Sequence, residues 1–264
     1  MDLKKLLDKE FSLGVEILCI VAGGVVASIA GLIVGGLILP LMQLFVIVYL
    51  FLVEVYKRRL WRAAGLVLLW SLVVTIVVAA YAFYAGCSAG AVDKIIKGRS
   101  YLEEMIEWLE TGKGPEGDPS LFLKPKIIEI VLFTIVSFLT MGIGGLFMGA
   151  ILLNYMNFYY GTLIWMANGS IVAVVMGWPI YAIIRVIGYV FLGTILTRLM
   201  MSIVEEKTLR IKVDSTVKKM LLIAIILIIL DFILKATIAN TIYYPVLHDT
   251  LNTTRVESCK TILG

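Results

Sequence analysis

Four ionisable side chains sit where such groups are costly. Glu129, Arg185, Asp231 and Lys235 fall inside apolar runs long enough to cross a bilayer. A charge at the bilayer centre costs roughly 2.5–3.5 kcal/mol on insertion scales, so it must pair, bind or face water. Asp231 and Lys235 are spaced i, i+4 and share one helix face. Counted from the ends of their runs, Arg185 and Asp231 reach nearly the same depth. The three could form a structural ion cluster, or a site for an ion, a proton or an anionic head group. Glu129 lies near the boundary of its run, where an interfacial position also accommodates a carboxylate. Two amides, Asn154 and Asn157, stand mid-run in Leu-Leu-Asn-Tyr-Met-Asn-Phe-Tyr-Tyr-Gly. They could bond across helices or line a polar pathway, and the aromatics around them (Tyr155, Phe158, Tyr159, Tyr160, Trp165) suit packing.

Signals for catalysis are poor. His248 is the sole histidine. No paired carboxylates stand at intramembrane-protease spacing, no Gly-x-Ser-x-Gly occurs, and no Cys/His cluster suits zinc. The expectation is a protein that is not an enzyme, with no cofactor and no metal.

These residues must be positioned by membrane helices. The hydrophobic fraction is 61% and the charged fraction 16%, against about 45–50% and about 25% in soluble domains. The charged N-terminal stretch before the first apolar run, without a small-residue cleavage site, reads as leading into an uncleaved first span. About 20 apolar residues make one crossing. On that scale the sequence predicts spans at 13–34, 37–56, 63–86, 127–146, 148–167, 171–198 and 220–241. The first two turn at Gly35-Gly36-Leu37-Ile38-Leu39-Pro40, so residues 13–56 either cross twice or form a re-entrant element. Met141-Gly142-Ile143-Gly144-Gly145 is a kink candidate in the fourth span, and Trp178-Pro179 interrupts the sixth. Gly23, Ala27, Gly31 and Gly35 form a small-residue stripe, with Gly24, Ser28 and Gly36 in a second row. Such stripes let backbones approach, within this chain or in a homo-oligomer built through the first helix.

Residues 87–126 form one long polar loop. Ser100-x-x-Glu103 reads there as a capping box and Gly112 as a helix stop. Between them Leu102, Met105, Ile106 and Leu109 share a face, giving an acidic amphipathic helix that could lie on the bilayer or cap the bundle. Gly114-Pro115-Glu116-Gly117-Asp118-Pro119 reads as turn material.

Seven spans put the termini on opposite sides. The side with the N-terminus, the 57–62 cluster, Arg198 and the 204–219 loop collects thirteen Lys and Arg, the other eight. Positive residues favour the cytoplasm, so the N-terminus is expected inside and the C-terminus outside the cell membrane. The sequons at Asn168 and Asn252 then fall outside as glycosylation candidates. So do Cys87 and Cys259, where a disulfide persists; Cys19 lies within a span.

From residue 63 onward the layout resembles the SpoIIM family, named for stage II sporulation protein M. The residues that carry the likeness are Gly145–Gly149, then Asn157 and Gly161, then Pro179 with Gly188 and Gly193. Leu221-Leu222-Ile223-Ala224 follows, running through Asp231 to Pro245. The sequence lacks the His-Gly and Glu that the pattern places after the proline, with Arg185 near the Glu position, and it adds residues 1–62. The resemblance implies a membrane subunit of a larger envelope-associated assembly.

The sequence thus predicts an all-α polytopic membrane protein of about seven spans: a hairpin over 1–62, a SpoIIM-like bundle over 63–245 and an extracytoplasmic tail over 246–264. A scaffold or translocation subunit is the leading function. The alternatives are a transporter or channel for a small solute or ion, or the pore subunit of a machine moving DNA or protein. The expected partners are the lipid bilayer and unknown proteins, with nucleic acid only under the translocation alternative.

Overall fold

A computed structural model describes residues 11–206 and 214–264. The N-terminal lysines and Lys207, Arg210 and Lys212, counted above for orientation, lie outside the described residues. The described chain is all helix, with no strand. In order the helices are α1 Leu13–Val34, α2 Ile38–Tyr56, α3 Leu60–Ala85, α4 Ala89–Val92, α5 Gly98–Thr111 and α6 Pro119–Leu139. Then come α7 Ile143–Met166, α8 Ile171–Met176, α9 Ile180–Glu206 and α10 Ser215–Ile238. A π-turn at Ala239–Tyr243, α11 Tyr244–His248 and α12 Thr253–Leu263 complete the chain.

Among the described residues five stretches are long and apolar enough to cross a membrane: Leu13–Val34, Ile38–Tyr56, Leu60–Ala85, Ile171–Val204 and Ser215–His248. The protein is a helical polytopic membrane protein. Helices α6 and α7 have the length, at 21 and 24 residues, but α6 carries Lys124, Lys126 and Glu129, and the apolar character of α7 is diluted by its asparagines and tyrosines. Five crossings follow from composition and length; seven does not follow from those alone.

The long helices alternate in direction between two ends. At the basic end Arg62 on α3 reaches Glu16 on α1 and the Phe11 carbonyl. The α6–α7 turn lies there too, with Gly142 against Phe51 and Thr197. At the other end the Gly36 amide donates to the Lys94 carbonyl at 2.7 Å and the Asn252 amide to the Met166 carbonyl at 3.0 Å.

Several boundaries differ from expectation, each for a local reason. Residues 13–56 form two antiparallel helices, not a re-entrant element, because Gly35 and Gly36 both adopt positive φ, at 82° and 58°. The fourth span begins at Pro119 instead of 127. Asp118 caps it, its side chain accepting from the Ser120 amide at 2.8 Å, and proline suits the first helical position. It ends at Leu139 instead of 146, since the expected kink is a complete reversal through Met141 (φ 52°) and Gly142 (φ 84°). The sixth span splits at Gly177-Trp178-Pro179 into α8 and α9. The seventh starts at Ser215, capped by Asp214, whose side chain accepts from the Val217 amide at 2.8 Å. The capping box at Ser100 and Glu103 does not form. Helix α5 begins earlier, at Gly98, after Lys97 in left-handed backbone (φ 61°), and Ser100 bonds back to the Lys97 carbonyl.

Packing accounts for the small-residue stripe. Gly23 faces Val46 and Gly31 faces the Leu39 backbone, both on α2, while Gly24 faces Val73 on α3 and Gly35 faces Lys94. Gly23, Gly24, Gly31 and Gly35 are therefore each met by the chain's own residues, while Gly36 meets nothing within 4 Å. Helix α7 is the central strut. Gly161 lies so near the Ala79 carbonyl that any side chain would collide with α3. Tyr155 and Tyr159 meet Tyr101 of α5 at 4.6 and 5.9 Å between ring centres. Leu102, Met105, Ile106, Trp108 and Leu109 of α5 are buried. The amphipathic helix thus caps the bundle, and Trp108 joins its apolar face by donating to Asn240 at 2.8 Å. The tail folds as well: α12 brings Cys259 to Cys87 at disulfide distance, with α-carbons 5.1 Å apart. Cys19 is exposed on α1.

Candidate functional site: a buried ionic layer under the cap

Helices α9 and α10 lie side by side, and each delivers one charge to the contact. Arg185 donates from Nε to Asp231 Oδ2 at 2.8 Å and from Nη2 to Oδ1 at 3.0 Å. This is the parallel two-bond geometry that suits guanidinium to carboxylate. The two residues are 8% and 3% exposed. Arg185 stands 13 residues from Arg198 along α9, about 20 Å at 1.5 Å per residue. Against a hydrocarbon core of about 30 Å, the pair lies about two-thirds of the way from the basic end, nearer the cap than mid-depth.

Lys235 shares a face with Asp231, as its spacing requires, but pairs elsewhere. Its Nζ donates to Glu116 Oε2 at 2.9 Å and lies 4.8 Å from the Phe122 ring centre. Glu116 also accepts from the Tyr181 hydroxyl at 2.7 Å. The loop that read as turn material therefore sends a carboxylate down into the bundle. Gly117 makes this approach possible, because a β-carbon there would collide with the Asn240 amide. Burial alone would raise the Glu116 carboxyl. The charges of Lys235 and Arg185, with hydrogen bonds from Lys235 and Tyr181, outweigh that and hold it below the ordinary range. In the cap itself, burial first and then the Glu116 charge raise the Glu104 carboxyl.

A third pair completes the layer. Glu129 accepts from Lys126 at 3.1 Å and from the Tyr189 hydroxyl at 2.8 Å. It points inward to α9 and does not rest at a bare interface. Three cations and three carboxylates thus close on one another in a neutral layer. That is how charges are tolerated in a low-dielectric interior, where an unpaired one is strongly destabilising.

The two asparagines part company. Asn154 and Gln43 of α2 exchange reciprocal amide hydrogen bonds at 2.8 and 3.0 Å, and Gln43 also reaches Ser28 at 3.2 Å. Asn157 is fully buried, and neither of its amide atoms has a hydrogen-bond partner among the described residues. The interhelical bond expected of Asn157 is not made. The sequons lie at the cap end: Asn168 is exposed with φ 53°, and Asn252 caps α12 by accepting from the Arg255 amide.

Two cavities adjoin the layer. The larger, about 70 Å³, runs between α6, α7 and α9 over a floor of Phe51 and Trp70. The smaller, about 20 Å³, lies beneath α5 between Glu116, Tyr181 and Tyr243. Arg185 and Met156 line both. Among the described residues no group of acids, cysteines and histidine could hold a metal.

Sequence reasoning missed Glu116, Tyr181, Lys126, Tyr189 and Gln43 as partners. It also missed the basic-end cluster, where Arg62 bridges Glu16 at 2.7 Å and Glu54 at 3.2 Å, both acids being buried. Glu16 alone carried a usable signal, as one acid in an apolar run near a basic cluster. Glu116 carried only its flanking glycines, which mark most turns. Comparison with family models, with curated proteins and with solved structures finds no match.

Proposed function

We propose that this integral membrane protein is a non-enzymatic scaffold or translocation subunit of an envelope-associated assembly. On this reading the basic end faces the cytoplasm and the capped end, with both sequons, faces outward across the cell membrane. The observation that carries it is the two-bond Arg185–Asp231 pair with Lys235–Glu116 and Lys126–Glu129 beside it. Charges held this closely support a fixed bundle more than a site that loads and releases a solute. The SpoIIM-like pattern adds to the reading: its Gly145, Gly161 and Gly188 stand at close contacts with Ser137, Ala79 and Ile228. The outward cap is a folded surface on which protein partners could assemble.

A second reading, transport of a small solute or ion, is favoured by one observation. Arg185 lines both cavities, so a path through the bundle from the cap would pass its guanidinium. The test is extraction from native membranes in mild detergent, in parallel with flux measurements on the purified chain in liposomes. The subunit reading predicts a defined complex that survives in the double variant Arg185→Leu with Asp231→Leu. Ion or solute flux by the isolated wild-type chain, lost in that variant, would replace it with transport.

A further inference from the structure

The smaller cavity, beneath α5, is lined by polar groups of both kinds. Glu116 of the cap loop, Tyr159 of α7, and Tyr181 and Arg185 of α9 all border it. Each of the four is at least nine-tenths buried. The charges are already matched, since Glu116 pairs with Lys235 and Arg185 with Asp231. The cavity therefore has no net charge to attract an ion. What it offers is spare hydrogen-bonding capacity. An ionised carboxylate has about four lone-pair sites, and Glu116 accepts from Tyr181 and Lys235. A guanidinium carries five donor hydrogens, and Arg185 bonds Asp231 through Nε and Nη2.

Tyr159 is the group that needs a partner. Its ring is held edge to face against Tyr101 of α5, with 5.9 Å between centres. Its hydroxyl is buried and has no hydrogen-bond partner among the described residues. A buried hydroxyl left in that state bears its full desolvation cost.

Size and chemistry together select the occupant. The cavity measures about 20 Å³, and one water needs about 10–15 Å³ and two to four polar partners. The rings of Tyr101, Trp108 and Trp178 form much of the remaining wall. An anion in this space would face the Glu116 carboxylate, and a cation would face the Arg185 guanidinium. Water can donate to the first and accept from the second. The larger cavity is walled chiefly by apolar side chains such as Phe51, Val67 and Leu146, and an apolar cavity stays dry.

We propose that the cavity under the cap is a site for one ordered water, which accepts from Arg185, donates to Glu116 and completes the Tyr159 hydroxyl. The water joins the cap loop, α7 and α9 at one point. Glu116 is then fixed to the bundle through it as well as through Lys235 and Tyr181.

The test is a crystal structure of the full-length protein grown in a lipidic mesophase, at a resolution that shows ordered waters. The expected result is one peak about 2.5–3.2 Å from Tyr159 Oη and from a polar atom of Glu116 or Arg185. Crystals soaked in rubidium bromide should show no anomalous signal there. An empty cavity, or a Tyr159 hydroxyl bonded directly to protein, overturns the site. Anomalous signal in the cavity overturns it in favour of an ion. Thermal melting in detergent gives a second readout. Tyr159→Phe takes a partner from the water and should lower the melting temperature. Thr162→Val is the reference, because the Thr162 hydroxyl is also buried without a partner among the described residues but lines neither cavity; this variant should not lower it. A dry Tyr159 hydroxyl predicts the reverse, since its removal relieves a desolvation cost. A melting temperature of Tyr159→Phe equal to or above the wild type, or a fall of the same size in both variants, therefore overturns the proposal.

Discussion

Replacing Arg185 by leucine would remove two charge-assisted hydrogen bonds, of 2.8 and 3.0 Å, and strand a carboxylate that is 3% exposed. Breaking a buried pair from one side costs roughly 3–5 kcal/mol, a large fraction of a total stability of about 5–15 kcal/mol. Asp231→Leu should cost a similar amount, because it leaves the guanidinium buried without its partner. Changing both to leucine removes the two charges together and fills the space with apolar volume, a replacement that is often neutral or stabilising by about 1–4 kcal/mol. The double variant should therefore be more stable than either single one, with a coupling energy of at least about 3 kcal/mol. The assay is thermal unfolding in detergent of the four proteins, followed by tryptophan fluorescence. Losses that simply add would show that the two side chains act independently, and would refute the pairing and the neutral-layer argument built on it.

Three further outcomes follow. Glu116 has its carboxyl held below the ordinary 4.5, so its contribution is fully present above the unfolded-state pKa and is lost as pH falls through the lowered folded value. Melting temperature should drop on acidification below pH 4.5 and less so in Glu116→Gln, and identical acid profiles would contradict this. Cys87→Ser should lower stability by roughly 3–5 kcal/mol on a chain-entropy estimate for a long closed loop, the two cysteines being 172 residues apart. Non-reduced peptide mapping should find the linked pair, and alkylation of both thiols without reductant would exclude it. Gly161→Leu should push α7 off the Ala79 carbonyl and cost roughly 1–3 kcal/mol or more as overpacking, read by detergent melting; a neutral effect would show that the helix crossing is looser than described.

What the sequence disclosed and what it hid divide along physical lines. Apolar run length sets helix existence, so all the long helices were visible, and depth counting matched Arg185 to Asp231 because rise per residue is constant. Boundaries were hidden wherever charge and fold disagree. Lys124, Lys126 and Glu129 looked like the end of a span, yet α6 continues past them because Lys126 and Glu129 pair with each other and Glu129 reaches Tyr189. The reversal at Met141-Gly142 reads as a kink in the sequence because no charged residue marks it; the backbone angles show the full turn. Glu116 was hidden most thoroughly. Its partner Lys235 is 119 residues away, and nothing local distinguishes a carboxylate that dips into a bundle from one that stays in water. Asn157 marks the opposite case, a polar residue plain in sequence that finds no hydrogen-bond partner among the described residues.

On the proposed topology the basic end of the bundle faces one compartment and the folded cap faces the other. Single cysteines at Lys218 on the basic end and Glu107 on the cap, both exposed, test it most directly in a Cys19→Ser background. With a membrane-impermeant maleimide on intact cells, the account predicts labelling of Glu107→Cys at once and of Lys218→Cys only after permeabilisation. Labelling of both from the same side would contradict it.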